Sequence, residues 1–202
     1  MDDKREIVRR GYDACAADYA HSRGRLQSES HLEGLVRLLA RGSRVLDLGC
    51  GSGRPVDSYL IARGFDLTGV DISEEQIQLA KEALPTGSFI HGDMSEVTFP
   101  PETFAAVVSF YAIFHIAREE HSALLHKAST LLRPGGYLLV TMGADAWEGT
   151  EEDFHGTRMY WSHHGREMNL QLIRGAGFTI LSETIESSGD EQHLVVLAQK
   201  RT

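Results

Sequence analysis

Two cysteines, Cys15 and Cys50, are all that 202 residues contain. That excludes a disulfide framework and favours a reducing compartment, here expected to be cytoplasmic. No apolar run approaches the roughly 20 residues that cross a membrane. Residues 1–5 are charged and lead into no hydrophobic segment, so no secretory signal is expected. Basic excess is missing too: 29 acids outnumber 20 Lys and Arg, for a formal charge of −9. A face built to neutralise an extended nucleic acid is therefore not expected. Lys4, Arg5, Arg9, Arg10, Arg23, Arg25 and Arg37 form an early basic group, but seven acids in the first forty residues offset them. They read as a solvated helical face. Internal repeats and low-complexity tracts are absent. His163 and His164 adjoin one another without further ligands at a metal-binding spacing, so no metal is expected.

What is present is ordinary in bulk: 42% apolar and 24% charged residues, the composition of one domain with a substantial core. The informative stretch is residues 45–53, Val-Leu-Asp-Leu-Gly-Cys-Gly-Ser-Gly. Val45, Leu46 and Leu48 suit a buried parallel strand. Gly49, Gly51 and Gly53 suit a backbone that turns sharply and approaches a ligand without an intervening Cβ. A strand, a glycine loop and a helix in that order build a nucleotide cradle at the carboxyl edge of a sheet. The order is G-x-G-x-G rather than the dinucleotide G-x-G-x-x-G. Asp47, two residues before the first glycine, is awkward beside a pyrophosphate and well placed for a cation such as an amino-acid ammonium. A nicotinamide-dependent oxidoreductase is the alternative that these features weigh against.

The rest of the chain alternates. Helices are expected at 4–21, broken near Gly24, and at 29–40. A strand at 44–48 is followed by a helix at 54–63, and a strand at 65–70 by a helix from Ser73 to about Leu84. Ser73 fits an N-cap with Gln76 completing a capping box. Strands follow at 88–91 and 104–110, a helix at 118–132 and a strand at 137–142. After a polar, aromatic stretch come a helix at 167–175 and two last strands, to about 185 and at 193–199. The short loop at 187–190 makes those two antiparallel. Alternation of this kind gives an α/β fold, a mostly parallel sheet with helices on both faces, closed by an antiparallel hairpin strand.

Asp47-Leu48-Gly49-Cys50-Gly51-Ser52-Gly53 resembles the first motif of the class I S-adenosylmethionine-dependent methyltransferases. The stretch 69–73, Gly-Val-Asp-Ile-Ser, where the second strand ends in Asp71, the stretch 91–94, His-Gly-Asp-Met, and the Pro134-Gly135-Gly136 turn before the fifth strand match that family in order and spacing. The resemblance covers roughly residues 42–142. It implies a Rossmann-like sheet of seven strands in the order 3-2-1-4-5-7-6. It implies S-adenosyl-L-methionine as cofactor, S-adenosyl-L-homocysteine as product, and methyl transfer by direct displacement. Asp71, 22 residues after Gly49, would accept from the ribose diol; its other reading is a helix N-terminal acid. Ile72 would pack on the adenine. Asp93 and the Met94 amide would meet the adenine edge, or else form a surface turn. Ser109 and Phe110 would contact the cofactor. Cys50 is a small loop residue or a reactive thiol. The Asn/Asp-Pro-Pro-aromatic motif of nucleobase amino methylation is missing from 109–115. A protein that binds the cofactor without turning it over is the other alternative.

The acceptor side is expected in three segments, with a small molecule as partner and the oligomeric state open. His115 is the candidate base, or a packed histidine before the next helix. Tyr19 lies over the cofactor in similar proteins, or staples a helix to the core, which is the favoured role of Tyr12. Tyr111 and Trp161 are candidate substrate contacts, Trp161 otherwise covering the sheet edge. One domain spanning 1–202 is expected, with a helical cap at 1–41, a cofactor-binding core at 42–142, a lid at 143–166 and a helix and hairpin at 167–202.

Overall fold

The structure, a computed structural model, describes residues 3–22, 29–188 and 191–202. The expected break at Gly24, a carboxylate contact by Arg23 or Arg25, and the loop tip Gly189-Asp190 lie outside the described residues. The strands are β1 (Arg44–Leu48), β2 (Asp66–Asp71), β3 (Ser88–His91), β4 (Phe104–Ser109), β5 (Leu132–Gly143), β6 (Trp147–Phe154), β7 (Thr157–His163), β8 (Phe178–Ser188) and β9 (Glu191–Lys200). The α-helices are α1 (Lys4–Ser22), α2 (Glu29–Val36), α3 (Val56–Ala62), α4 (Glu74–Ala83), α5 (His121–Leu131) and α6 (Arg166–Gly175).

Seven strands form one sheet in the order β3-β2-β1-β4-β5-β9-β8. The first five pair in parallel; β9 runs antiparallel to both β5 and β8. This is the order that the family resemblance implies, with β8 and β9 as its sixth and seventh strands. Side chains alternate across each strand. Leu46, Leu48 and Val107 pack beneath α5 and α6 with Leu124, Leu125, Leu170 and Ile173. Val45, Leu67 and Val108 pack on the other face with Leu32 and Leu35 of α2, Leu60 of α3 and Ile77 of α4. Asp47 alternates onto this second face beside α3, a placement that matters below.

Several boundaries move. The helix expected from 118 starts at His121, because Arg118–Glu120 forms a separate 3-10 turn. β5 begins at Leu132 and carries a register break, so that Phe104 faces Leu132 but Ala106 faces Tyr137; Gly135 turns there with φ 71°. The capping box is half formed. Gln76 N–H donates to Ser73 Oγ at 3.1 Å, but Ser73 N–H donates to Asp71 Oδ1 at 2.9 Å rather than to the Gln76 side chain. The largest difference is the stretch expected as a lid loop. Residues 147–163 form a two-stranded antiparallel hairpin, β6–β7, outside the main sheet. Its first strand reads WEGTEEDF and is largely exposed, so no period-2 apolar pattern marks it. Its second strand buries Met159 and Tyr160 against Val8 of α1.

Candidate functional site

β1 stops in the glycine loop. Gly49 and Cys50 N–H both donate to the Val70 carbonyl, at 2.8 and 3.0 Å, so the loop folds over the end of β2. Gly49 sits at φ 85°, and a Cβ there would stand 2.2 Å from the Ala112 Cβ. No side chain fits. Gly51 N–H donates to Asp71 Oδ2 at 2.8 Å while Ser73 N–H takes Oδ1. Each Asp71 oxygen keeps a lone pair for a further donor. Burial pushes the Asp71 carboxyl up from its usual range; the two backbone donors pull the other way. Asp47 is 2% exposed. Burial, with the Asp71 charge nearby, pushes its pKa up to about 7, opposed by its hydrogen bond with Asp57. Cys50 is buried, and burial among Asp57, Asp71 and Asp47 holds its thiol protonated, a packing role.

These groups open onto a cavity, partly open to solvent, at the carboxyl ends of β1, β2 and β4. α1 roofs it, contributing Val8, Tyr12 and Tyr19. Ion pairs at the N-terminal end of α1 hold the roof. Lys4 meets Glu148 at 2.8 Å, and Arg5 meets Asp93 at 2.7 Å and Glu120 at 2.6 Å. Further along, the Ser73 hydroxyl donates to Asp13 Oδ1 at 2.8 Å, tying α1 to the start of α4. Across the cavity lie Phe110, Tyr111 and His115. Tyr111 is a non-glycine residue at φ 55°, a strained conformation of the kind that gathers at functional sites.

His115 is 7% exposed and sits on the short 3-10 turn Ile113–His115. Its Nδ1 lies 2.8 Å from the Tyr160 carbonyl, which can only accept. The neutral ring therefore carries its proton on Nδ1, and Nε2 accepts from the Tyr12 hydroxyl at 2.8 Å. The Trp161 ring lies 4.3 Å from the imidazole, centroid to centroid. Tyr12, whose favoured role in the sequence is to staple a helix, thus shares a hydrogen bond with the candidate base.

Residues 45–136 match the family described as Methyltransferase domain. The chain is 34% identical over 150 residues to an uncharacterized methyltransferase of Bacillus cytotoxicus, covering 72% of this chain and 68% of that protein. The chain belongs to the class I S-adenosylmethionine-dependent methyltransferases. It is 32% identical over 113 residues to the 27-O-demethylrifamycin SV methyltransferase of Amycolatopsis mediterranei, covering 53% of this chain and 40% of that protein. It spans 33–46% of the length of three such curated relatives. A solved 1,6-didemethyltoxoflavin-N1-methyltransferase of Burkholderia thailandensis shares the fold with TM-score 0.77 at 20% identity, covering 100% of this chain and 92% of that one. Family membership sets aside the nicotinamide alternative.

The residues of this chain fit S-adenosylmethionine. The Gly49 cradle would be filled by any Cβ, Asp47 Oδ1 is buried with no hydrogen-bond partner, and the carboxylates of Asp47 and Asp71 suit an ammonium and a diol. Tyr19, Asp47, Gly49, Cys50, Gly51, Asp71, Ile72, Met94, Phe110, Tyr111 and His115 share the cavity wall. Four other candidates stand elsewhere. Ser109 is buried and donates to the Leu48 carbonyl at 2.6 Å, joining β4 to β1. Asp93 is occupied by Arg5 and by Ser95 N–H at 2.7 Å. Gly53 packs under Leu84 and Phe89. Trp161 lines a second, neighbouring hollow with Phe114, Trp147 and His193. His163 and His164 turn apart, to the carbonyls of Asp145 and Arg118. Sequence reasoning passed over Val8, Arg54, Gln76 and Ala112, which line the cavity, and Asp57 behind it. Asp57 reads in sequence as an ordinary acid in the first turn of a helix.

Proposed function

We propose that this chain methylates a small-molecule acceptor from S-adenosylmethionine, with Asp47, Asp71, Ile72 and the glycine loop holding the cofactor and the Tyr12–His115 pair receiving the acceptor's proton. The observation that carries this reading is one cavity shared by the glycine loop, Asp71 and a tyrosine hydroxyl hydrogen-bonded to a histidine of fixed tautomer. When bound, the cofactor supplies a methyl group on a positively charged sulfur, open to direct displacement. The protein's part is alignment beneath α1, worth on the order of 7–11 kcal/mol in well-oriented reactions. Tyr12 Oη passes its proton to His115 Nε2 as it takes one from the acceptor, and the Tyr160 carbonyl steadies the ring from Nδ1. The likeness to a rifamycin and a toxoflavin methyltransferase supports an acceptor of small-molecule size.

Turnover of S-adenosylmethionine against a panel of small phenols, amines, thiols and carboxylates tests the proposal. Methylated product from one chemical class supports it. Cofactor binding with no product from any class instead supports the binding-only alternative.

A further inference from the structure

Behind the glycine loop lies a buried acid that cofactor recognition by the first motif does not require. Asp57, on the first turn of α3, is 0% exposed. Neither of its carboxyl oxygens has a hydrogen-bond donor among the described residues, and Asp47 Oδ1 lacks one as well. Yet the two carboxyls adjoin one another, each perturbing the other's ionisation. Two acceptors can bond only through a proton between them. No Lys or Arg forms an ion pair with Asp47, Asp57 or Asp71 among the described residues, so a fully ionised cluster would lack a countercharge. Gln76 of α4 closes the same space, 1% exposed and with both amide atoms unpartnered.

We propose that Asp57 is a positioning residue that stays protonated and donates to Asp47, and that cofactor binding at Asp47 expels a second proton to solvent. The inference rests on the cofactor reading above. The groups that face the pair from packed elements are Asp71 of β2 and Cys50 of the loop; Asp13 of α1 and His91 of β3 act on Asp71 in turn. Arg54 of the loop lines the same cavity. All the near neighbours are acids or a neutral thiol, so a like-charge environment keeps a proton on the pair around neutrality. A cation arriving at Asp47 reverses that balance: the Asp47 proton leaves, the ammonium takes its place and Asp57 keeps its own proton.

Calorimetric titration with S-adenosylhomocysteine, which carries the ammonium without a reactive methyl, reads this directly. Run in buffers of differing ionisation heat, it counts protons. At about pH 6 close to one proton is released per ligand, falling towards zero by about pH 8. Asp57→Ala removes the donor to Asp47, and Asp57→Asn restores a neutral one. In the alanine variant proton release persists at the higher pH and affinity there falls up to about tenfold; asparagine rescues both. Binding by the native protein without proton release at the lower pH overturns this inference alone. Absence of binding at every pH overturns the cofactor reading with it. The native proton count decides the matter even if Asp57→Asn fails to fold.

Discussion

The most constrained residue of the site is Gly49. Its φ of 85° and the 2.2 Å gap that a Cβ would leave to Ala112 act together. Gly49→Ala combines an unfavourable backbone region with overpacking, each worth roughly 1–3 kcal/mol. Denaturant unfolding of that variant should show a loss of about 3 kcal/mol; a loss below about 1 kcal/mol contradicts the geometry. For Tyr12→Phe and His115→Ala the expected outcome differs. Both should keep cofactor affinity within about threefold while kcat falls by at least about a hundredfold, in keeping with general base catalysis. An unchanged kcat in either variant removes the pair from the chemistry. Much at this scale was legible in the chain itself. Alternating glycines after a buried strand have one physical meaning, and Asp47 and Asp71 follow from the ends of β1 and β2. The Tyr12–His115 bond was not legible, because 103 residues separate its partners and no local pattern records which way each ring points. Asp57 was hidden for a different reason. An acid in a first helical turn normally faces solvent and the helix dipole, and only the packing of α3 on β1 buries it.

Among the elements, α1 roofs the cavity and packs on the β6–β7 hairpin through Val8, Met159 and Tyr160. Polar contacts add to that cluster: Lys4, Arg5 and Asp13 each reach another element. Such pairs add little to global stability when partly exposed, as Arg5 is. Arg5→Ala should therefore change unfolding free energy by less than about 1 kcal/mol. Its effect should fall on α1, whose backbone amides should exchange faster with solvent deuterium while those of β1 and β4 do not. Uniform loss of protection in both places would mean that the pair supports the whole fold. The main sheet was readable as elements because each strand is bounded by glycine or proline and each helix has a face. β6 carries Glu148, Glu151, Glu152 and Asp153 on a mostly exposed strand, and its pairing with β7 rests on backbone hydrogen bonds that no side-chain pattern announces.

Across the whole molecule, buried titrating groups make stability depend on pH in opposing ways. Burial lowers the pKa of His121 to about 4 from 6.5. The folded state therefore resists its protonation, and that contribution, complete above 6.5, is lost as pH falls towards 4. Asp47 and Asp57 act in reverse, since burial raises both above the usual carboxylate range. Their contribution is greatest below 3.8 and is lost progressively as pH rises towards the folded values, about 7 for Asp47 and well above the usual carboxylate range for Asp57. Between pH 4 and 6.5 the two effects offset one another; above 6.5 only the acids still change. Melting of the unliganded protein should thus move to lower temperature as pH climbs past neutrality, and Asp57→Asn should flatten that slope. A melting temperature that stays level or rises over the same interval contradicts the carboxyl assignments.

The hydrogen bond from Tyr12 to His115 joins α1 to the 3-10 turn after β4. A shift of α1 away from that turn breaks the bond. On the proposed reading the proton-accepting pair therefore exists only while the helix lies in place, so the position of one helix and readiness for chemistry are a single variable.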